Sequence, residues 1–201
     1  MTKPTYLNLF LKNIVILMIA AGFAESSQAN WTLQPSSSHI HFLSVKATHI
    51  GEVHSFTKFS GSVKDDGQAT LNIDLASVDT QIPIRDQRMR DLLFVVNDHP
   101  MAVIKTKIGL KTYQDMIIGS EVAVQIEASL DFKGISNQVT AEAIVSRQSN
   151  STFTIQSKSP LLLSATNLGI TEGIEKLREI AGLTNISFTI PTSFRLTFEK
   201  N

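Results

Sequence analysis

The chain has 201 residues, of which 18 are basic and 18 are acidic, so its formal net charge is zero. A nucleic-acid-binding protein normally carries a basic excess that displaces counterions from phosphates, and this balance argues against that class. Apolar residues make up 42% of the chain, which is enough for a hydrophobic core and argues against global disorder. Cysteine is absent, so no disulfide supports the fold. These totals favour one globular domain that is stabilised by its own core.

The first 29 residues have the features of a secretory signal. Lys3 and Lys12 precede an apolar run over residues 14–24, and the polar stretch that follows ends in Ser27-Gln28-Ala29. A positive start, a short apolar centre and small residues two apart predict cleavage after Ala29. The alternative is an anchor that stays attached, but the run is short against the roughly 20 residues that span a bilayer. We therefore expect a signal peptide over residues 1–29, no permanent membrane anchor, and a periplasmic domain over residues 30–201.

Alternation of apolar and polar residues dominates the rest of the chain. In the run 121–132, the even-numbered residues from Val122 to Leu130 are apolar and most of their neighbours are polar, as in a half-buried strand. Short turns at Asp65-Asp66-Gly67 and Lys133-Gly134 are typical of antiparallel neighbours. The sequence predicts eight strands, over residues 38–48, 53–64, 68–77, 101–108, 121–132, 135–147, 152–163 and 186–199. Strands joined in chain order favour an all-β, up-and-down antiparallel barrel, which leaves no exposed edges.

Two segments have helical rather than strand periodicity. Residues 83–94 begin with Pro83, which favours a first helical position, and carry apolar residues at helical spacing. Residues 171–181 begin with Thr171 as a candidate N-cap and have Glu172 in the first turn. Both segments predict short helices that pack on the barrel.

Three segments carry a family resemblance. They are His49-Ile50-Gly51 with Phe56 and Phe59-Ser60-Gly61; Ser77-Val78-Asp79-Thr80 with Arg85-Asp86-Gln87-Arg88-Met89-Arg90 and residues 94–100; and residues 130–135 with Val139. In these segments the chain resembles the YceI-like family of exported barrels that bind polyisoprenoid lipids. One departure is that Arg88-Met89 stands where many members have His-Leu. The resemblance implies an eight-stranded, lipocalin-like barrel that holds an isoprenoid chain, and it implies binding or carriage rather than catalysis.

The residues alone leave open whether the barrel is hollow. An eight-stranded barrel can be filled by its own side chains or can hold one small ligand, and the resemblance favours a cavity. The ligand we expect is a long apolar molecule, an isoprenoid such as a quinone tail or a prenyl phosphate. Alternation predicts that eight side chains face it: Phe42, Phe56, Phe59, Val124, Ile126, Phe188, Ile190 and Phe194.

Arg85 and Arg88 are the best polar candidates for the ligand site. At positions i and i+3 of a helix they lie on one side, where two guanidinium groups suit a pyrophosphate. The alternative is structural: Arg85 pairs with Asp86, Asp91 or a backbone carbonyl and fixes the helix, while Asp86 and Arg90 form a surface pair at i and i+4.

No motif indicates an enzyme or a metal site. The chain has no G-x-S-x-G elbow, H-E-x-x-H motif, P-loop or G-x-G-x-x-G loop, so we assign no catalytic residue and expect no required cofactor. His39 and His41 share a strand face, but too few further ligands are near for a tetrahedral site, so we predict no metal. The alternative function is a ligand-free, stress-related interaction module of the periplasm with a filled barrel. The sequence does not distinguish a monomer from a dimer.

Overall fold

The computed structural model describes residues 29–201, and its main feature is an antiparallel β-barrel. Twelve strands contribute to it. They are β1 (Ala29–Leu33), β2 (His39–Lys46), β3 (Ile50–Phe56), β4 (Phe59–Lys64), β5 (Gln68–Asp74), β6 (Val78–Asp79), β7 (Met101–Lys107), β8 (Glu121–Phe132), β9 (Ile135–Arg147), β10 (Thr152–Ser157), β11 (Leu161–Ser164) and β12 (Thr189–Lys200).

The barrel closes because β1 pairs with a strand on each side. The hydrogen-bonded order is β1-β4-β5-β7-β8-β9-β10-β12, and β12 pairs with β1 again, which completes a ring of eight. Trp31 lies opposite Val63 of β4 and Lys200 of β12. The all-β, eight-stranded antiparallel fold predicted from the alternation is thus confirmed.

The remaining four strands are continuations of ring strands beyond a bend. β2 follows β1 after a 3₁₀ turn at Pro35–Ser37, and Thr197 of β12 spans this bend by donating from its backbone N–H to Ser38 Oγ. Between β3 and β4, Lys58 N–H donates to Ser77 Oγ at 3.0 Å. Because the bends retain hydrogen bonds in this way, each long strand can curve and still remain paired with its neighbours in the barrel wall.

The helices lie at the two ends of the barrel. At one end, α1 (Pro83–Arg88) runs directly into a π-helical turn (Met89–Phe94), and α3 (Thr171–Ile180) packs against that turn. The contact is so close that a Cβ on Gly173 would lie 2.6 Å from the carbonyl oxygen of Leu92. At the other end, α2 (Leu110–Gln114) joins β7 to β8, and the Arg147 guanidinium donates to the carbonyls of Gln114 and Met116.

Alternation places one face of each strand inside the barrel. On β8 the residues Ala128, Leu130 and Phe132 are buried, and the intervening Ser129 and Asp131 are half-buried. The β8–β9 turn also follows the expected chemistry, because Lys133 and Gly134 both have positive φ, at 49° and 75°. Two left-handed residues are what a tight two-residue hairpin requires.

The predicted elements match the observed ones with a few corrections. β8 and β9 have the predicted bounds, whereas the predicted strands 53–64 and 152–163 are each divided into two by a bend. The strand β1 was not expected, and the 3₁₀ turn Pro35–Ser37 that follows it was not expected either. The helix over Thr171–Ile180 begins as predicted, but Thr171 is its first residue and Ile170 occupies the N-cap position without a side-chain cap.

Two predictions from the sequence concern the membrane: the secretory signal and the absence of a permanent anchor. The predicted signal over residues 1–29 lies outside the described residues except at Ala29, where β1 begins. Within residues 29–201, no helix has the length and apolar character needed to cross a membrane.

Because Trp31 attaches β1 to the barrel, its replacement should lower the stability of the fold strongly. Its side chain is 2% exposed and its ring meets Phe153 edge-on, with the centroids 5.1 Å apart. We expect Trp31→Ala to lower the free energy of unfolding by about 3–5 kcal/mol, because it removes most of the packing that attaches β1. The neighbouring Thr32 is exposed, so Thr32→Ala should cost no more than about 0.5 kcal/mol. Urea denaturation of both variants measures this difference, and similar losses would show that β1 is not held by Trp31.

Candidate functional site

The barrel encloses a cavity of about 320 Å³. Its wall includes side chains from every strand of the ring. Trp31 and Tyr113 line it at the end where α2 lies, and Leu93 and Leu168 line it at the end where α3 lies. None of the lining residues among those described is charged; the few polar ones are Thr70, Thr106, Tyr113 and Thr192. A space of this kind suits an apolar molecule, because a charged or strongly polar group inside it would lose its hydration without gaining partners.

A row of aromatic rings follows one wall of the cavity. Phe132 meets Phe94 with the centroids 6.1 Å apart, Phe94 meets Phe56 at 5.8 Å, and Phe56 meets Phe42 at 5.3 Å. All four rings line the cavity, and the row ends at His54, whose ring centroid is 5.2 Å from that of Phe42. The row therefore leads from the apolar interior to a polar side chain.

Polar residues cluster beyond Phe42 on the same face of the β2–β3 hairpin. Phe42 is the cross-strand partner of His54, and Ser44 is the partner of Glu52, so these side chains share the inward face. Glu52 accepts two ion pairs, from Arg85 Nη1 at 2.7 Å and from Lys46 Nζ at 3.0 Å. About a quarter of each of these three side chains remains exposed. Although partial burial acts to raise the pKa of Glu52, the hydrogen bond from Lys46 and the positive charge of Arg85 hold it below its ordinary value.

His54 is the most enclosed member of this cluster. It is 3% exposed, and its Nε2 is 2.8 Å from Ser44 Oγ, while its Nδ1 is buried without a hydrogen-bond partner. The pKa of His54 is lowered because burial penalises the charged ring and because Arg85 and Lys46 repel a proton; Glu52 and Asp86 oppose this only in part. The imidazole is therefore neutral at neutral pH.

The segment between Ser77 and Asp86 fixes the position of Arg85. Asp86 accepts hydrogen bonds from the backbone N–H and the hydroxyl of Thr80, at 2.8 Å and 2.5 Å. Arg85 Nη2 in turn donates to the carbonyl oxygen of Thr80 at 2.7 Å. These bonds fasten α1 to the end of β6, so that Arg85 reaches across to Glu52 on β3.

Five of the eight predicted apolar residues lie on the cavity wall. They are Phe42, Phe56, Ile126, Ile190 and Phe194. Phe59 and Val124 pack on the core beside the cavity without lining it, and Phe188 precedes β12 with 39% of its side chain exposed. Whether any of these residues contacts a ligand stays a prediction.

The two arginines have different surroundings. Arg85 makes the structural contacts of the alternative interpretation, but its partners are Glu52 and the Thr80 carbonyl rather than Asp86 or Asp91. Arg88 lies in the last turn of α1, and within residues 29–201 its side chain makes no hydrogen bond or ion pair. Asp86 and Arg90 do not pair with each other, because Asp86 bonds to Thr80 while Arg90 donates to Ala76 and Gln87.

His39 and His41 are neighbours on the outer face of β2. Their ring centroids are 4.9 Å apart. The pKa of His39 is lowered by partial burial and by the nearby His41 and Arg195. Over residues 29–201, they are not part of any group of three or more potential metal ligands.

The sequence did not reveal His54, Glu52 and Lys46 as one cluster. Alternation could have placed all three on one face, since their even numbers match the parity of Phe42 and Phe56. The missing information was the hairpin register between β2 and β3 and the position of α1, which brings in Arg85 from 33 residues away.

Comparisons with known proteins agree with this fold. A family model described as the YceI-like domain matches residues 31–198. A polyisoprenoid-binding domain from Saccharophagus degradans, implicated in plant cell wall breakdown, is 34% identical with a TM-score of 0.85, over 87% of this chain and 100% of that one. No match was found among curated protein sequences.

More distant structures share the fold alone. BcnA from Burkholderia cenocepacia is 20% identical with a TM-score of 0.62, over 82% of this chain and 98% of that one. The YCEI protein of Campylobacter jejuni is 13% identical with a TM-score of 0.51, over 74% of this chain and 85% of that one.

Burial of neutral His54 predicts a pH-dependent contribution to stability. The folded pKa lies below the unfolded one, so the unfolded chain binds more protons and the stability falls as the pH decreases below about 6.5. As the pH is lowered from about 7.5 to about 5 at constant ionic strength, we expect the free energy of unfolding to fall more for wild type than for His54→Phe. Urea midpoints measured across that range test this, and parallel curves for the two proteins would contradict it.

Proposed function

The chain belongs to the YceI-like family, and from that premise we propose that it is a binding or carrier protein for a long apolar lipid of the isoprenoid type. The observation that carries the proposal is the cavity of about 320 Å³ with no charged lining residue among those described. Family membership and the similar polyisoprenoid-binding domain support a lipid-binding barrel.

The energy of binding would come mainly from the tail. Burying one methylene group contributes about 0.8 kcal/mol, so a prenyl chain needs few polar contacts to be held firmly. The large aromatic and aliphatic side chains of the wall give many contacts and little directional preference. Such a site binds by shape and length, and we propose no catalytic residue and no required cofactor for it.

Isolation of the natural ligand is the direct experiment. Native mass spectrometry of the purified protein, followed by organic extraction, should find a bound lipid and identify it. A stoichiometric isoprenoid supports the carrier function. A protein that is isolated empty and does not bind added geranylgeranyl lipids would instead favour the ligand-free interaction module.

Filling part of the cavity should weaken lipid binding without unfolding the barrel. Ala128 and Ala123 lie on the same strand, β8, but Ala128 lines the cavity whereas Ala123 is exposed on the outer face. We expect Ala128→Trp to weaken binding of a geranylgeranyl lipid by about tenfold or more, because the indole occupies the space of the tail. Ala123→Trp is the matched control and should bind as wild type. Displacement of a fluorescent apolar probe measures both, and unchanged binding by a folded Ala128→Trp protein would contradict this use of the cavity.

We also propose that the protein is exported to the periplasm, on the basis of the signal-like residues 1–29. When the full chain is expressed in a Gram-negative bacterium, the protein should appear in the periplasmic fraction with Asn30 as its first residue. Intact mass and N-terminal sequencing measure this. A full-length protein that remains with the membrane fraction would support the alternative of a retained anchor.

A further inference from the structure

We propose that residues 115–120, which we call the tip loop, insert Ile117 and Ile118 into the surface of a lipid bilayer. The tip loop follows α2 at one end of the barrel and leads into β8. This inference goes beyond the lipid-binding function, because it concerns a surface outside the cavity and a different partner, the membrane.

The tip loop exposes two adjacent large apolar side chains. Ile117 is 80% exposed, the largest exposed fraction of any large apolar residue within residues 29–201, and Ile118 is 51% exposed. Val122, near the start of β8, is exposed as well. Single apolar residues scattered over a surface are ordinary, but a projecting pair gains free energy when a partner removes it from water.

Hydrogen bonds fix the tip loop and satisfy much of its backbone. The Arg147 guanidinium donates to the carbonyl of Met116, and the Gly119 N–H donates to the carbonyl of Arg147 at 2.7 Å. The carbonyl of Ile117 accepts from both the N–H and the hydroxyl of Ser120, at 3.0 Å and 2.6 Å. Backbone groups without partners are costly in a bilayer, so these bonds lower the cost of inserting the loop.

The charges of this region favour apolar rather than electrostatic binding. Residues 116–120 carry no charged side chain, so the pair can enter a bilayer without desolvating an ion. The charged residues around them have both signs: Lys111 and Arg147 are positive, and Asp115 and Glu121 are negative. Because no positive excess faces anionic headgroups, we expect binding that does not depend on anionic lipid.

The small size of the apolar pair favours a bilayer over a protein as the partner. A stable protein interface buries roughly 800 Å² per partner, which is much more than two isoleucine side chains provide. A fluid bilayer, in contrast, adapts to a small projecting group. Two isoleucines contain fewer carbons than a myristoyl chain, whose membrane binding is itself marginal and reversible, so this docking should be weak and transient.

Docking through the tip loop would bring one end of the cavity to the membrane. Leu110 and Tyr113 of α2 line the cavity, and Met116 packs against the buried cluster that contains Trp31. The tip loop is therefore directly connected to the side chains at this end. A lipid carrier that docks here would place α2 between its cavity and the bilayer, and only this consequence rests on the proposed function.

Flotation with phosphatidylcholine vesicles, with and without phosphatidylglycerol, tests the inference. The tip variant is Ile117→Ser/Ile118→Ser, and the matched control is Ile82→Ser/Ile84→Ser, whose isoleucines are also exposed but lie at the start of α1. We expect the tip variant to have a vesicle partition coefficient about tenfold or more below that of wild type, because two apolar side chains leave the bilayer. The control should bind as wild type. Neutral and anionic vesicles should give wild-type coefficients that agree within about twofold.

A fluorescent label tests insertion even if the serine variant folds poorly. The chain has no cysteine, so Ile117→Cys and the control Ile84→Cys can each be labelled at one position with a nitrobenzoxadiazole probe. When phosphatidylcholine vesicles are added, the emission of the probe at position 117 should increase and shift to the blue. The probe at position 84 should not respond.

The outcomes separate this inference from the lipid-binding function. No flotation of wild type, equal flotation of wild type and the tip variant, or binding only to anionic vesicles would overturn the inference. A dimer that dissociates in the tip variant, without vesicle binding, would assign the tip loop to a second copy of the chain and would overturn it too. Flotation needs no ligand in the cavity, so a protein that docks on vesicles but binds no geranylgeranyl lipid retains the docking tip while the proposed function fails.

Discussion

The pairing of β1 with both β4 and β12 is the constraint on which the rest of the structure depends. Without β1, β4 and β12 would each present an unpaired edge over part of their length, and the cavity would open on that side. Closure also fixes the curvature, because β12 must follow β1 and then β2 past the 3₁₀ bend. Thr197 maintains that passage by bonding to Ser38 Oγ with its N–H and to the Ser37 carbonyl with its hydroxyl. A hollow barrel can be stable because its wall is continuous.

Charge is distributed so that the interior of the barrel stays apolar and one end becomes polar. The aromatic row from Phe132 to Phe42 has no ionisable group until His54, and the ions begin only beyond it. Even there, positive and negative groups are matched, so the local field is that of dipoles rather than a net charge. The boundary between the apolar interior and this polar cluster therefore lies between Phe42 and His54.

The sequence predicted those features that depend on local periodicity. β8 and β9 alternate over twelve or more residues, so their bounds and inward faces followed directly. β1 was missed because it has only five residues and follows directly after the predicted signal, so Trp31 and Leu33 had no longer pattern to support them. Phe188 was assigned by extending the alternation of β12 backwards, but that strand begins at Thr189. Contacts that join distant segments, such as Arg85 with Glu52, depend on tertiary geometry that periodicity does not contain.

Hydrogen bonds within the segment from Ser77 to Asp86 fix the position of Arg85 relative to β3. Ser77 bonds to Asp74 and Lys58 and closes the bend between β3 and β4, while Thr80 and Asp86 attach α1 to β6. The bonds of Ser77 hold the end of β3, which carries Glu52, and the bonds of Thr80 and Asp86 hold α1, which carries Arg85. Together they set the distance between Glu52 and Arg85. Because Arg85 spends its Nη1 and Nη2 on Glu52 and Thr80, only Nε is left without a partner. The contacts that fix α1 therefore also determine the orientation of the Arg85 guanidinium.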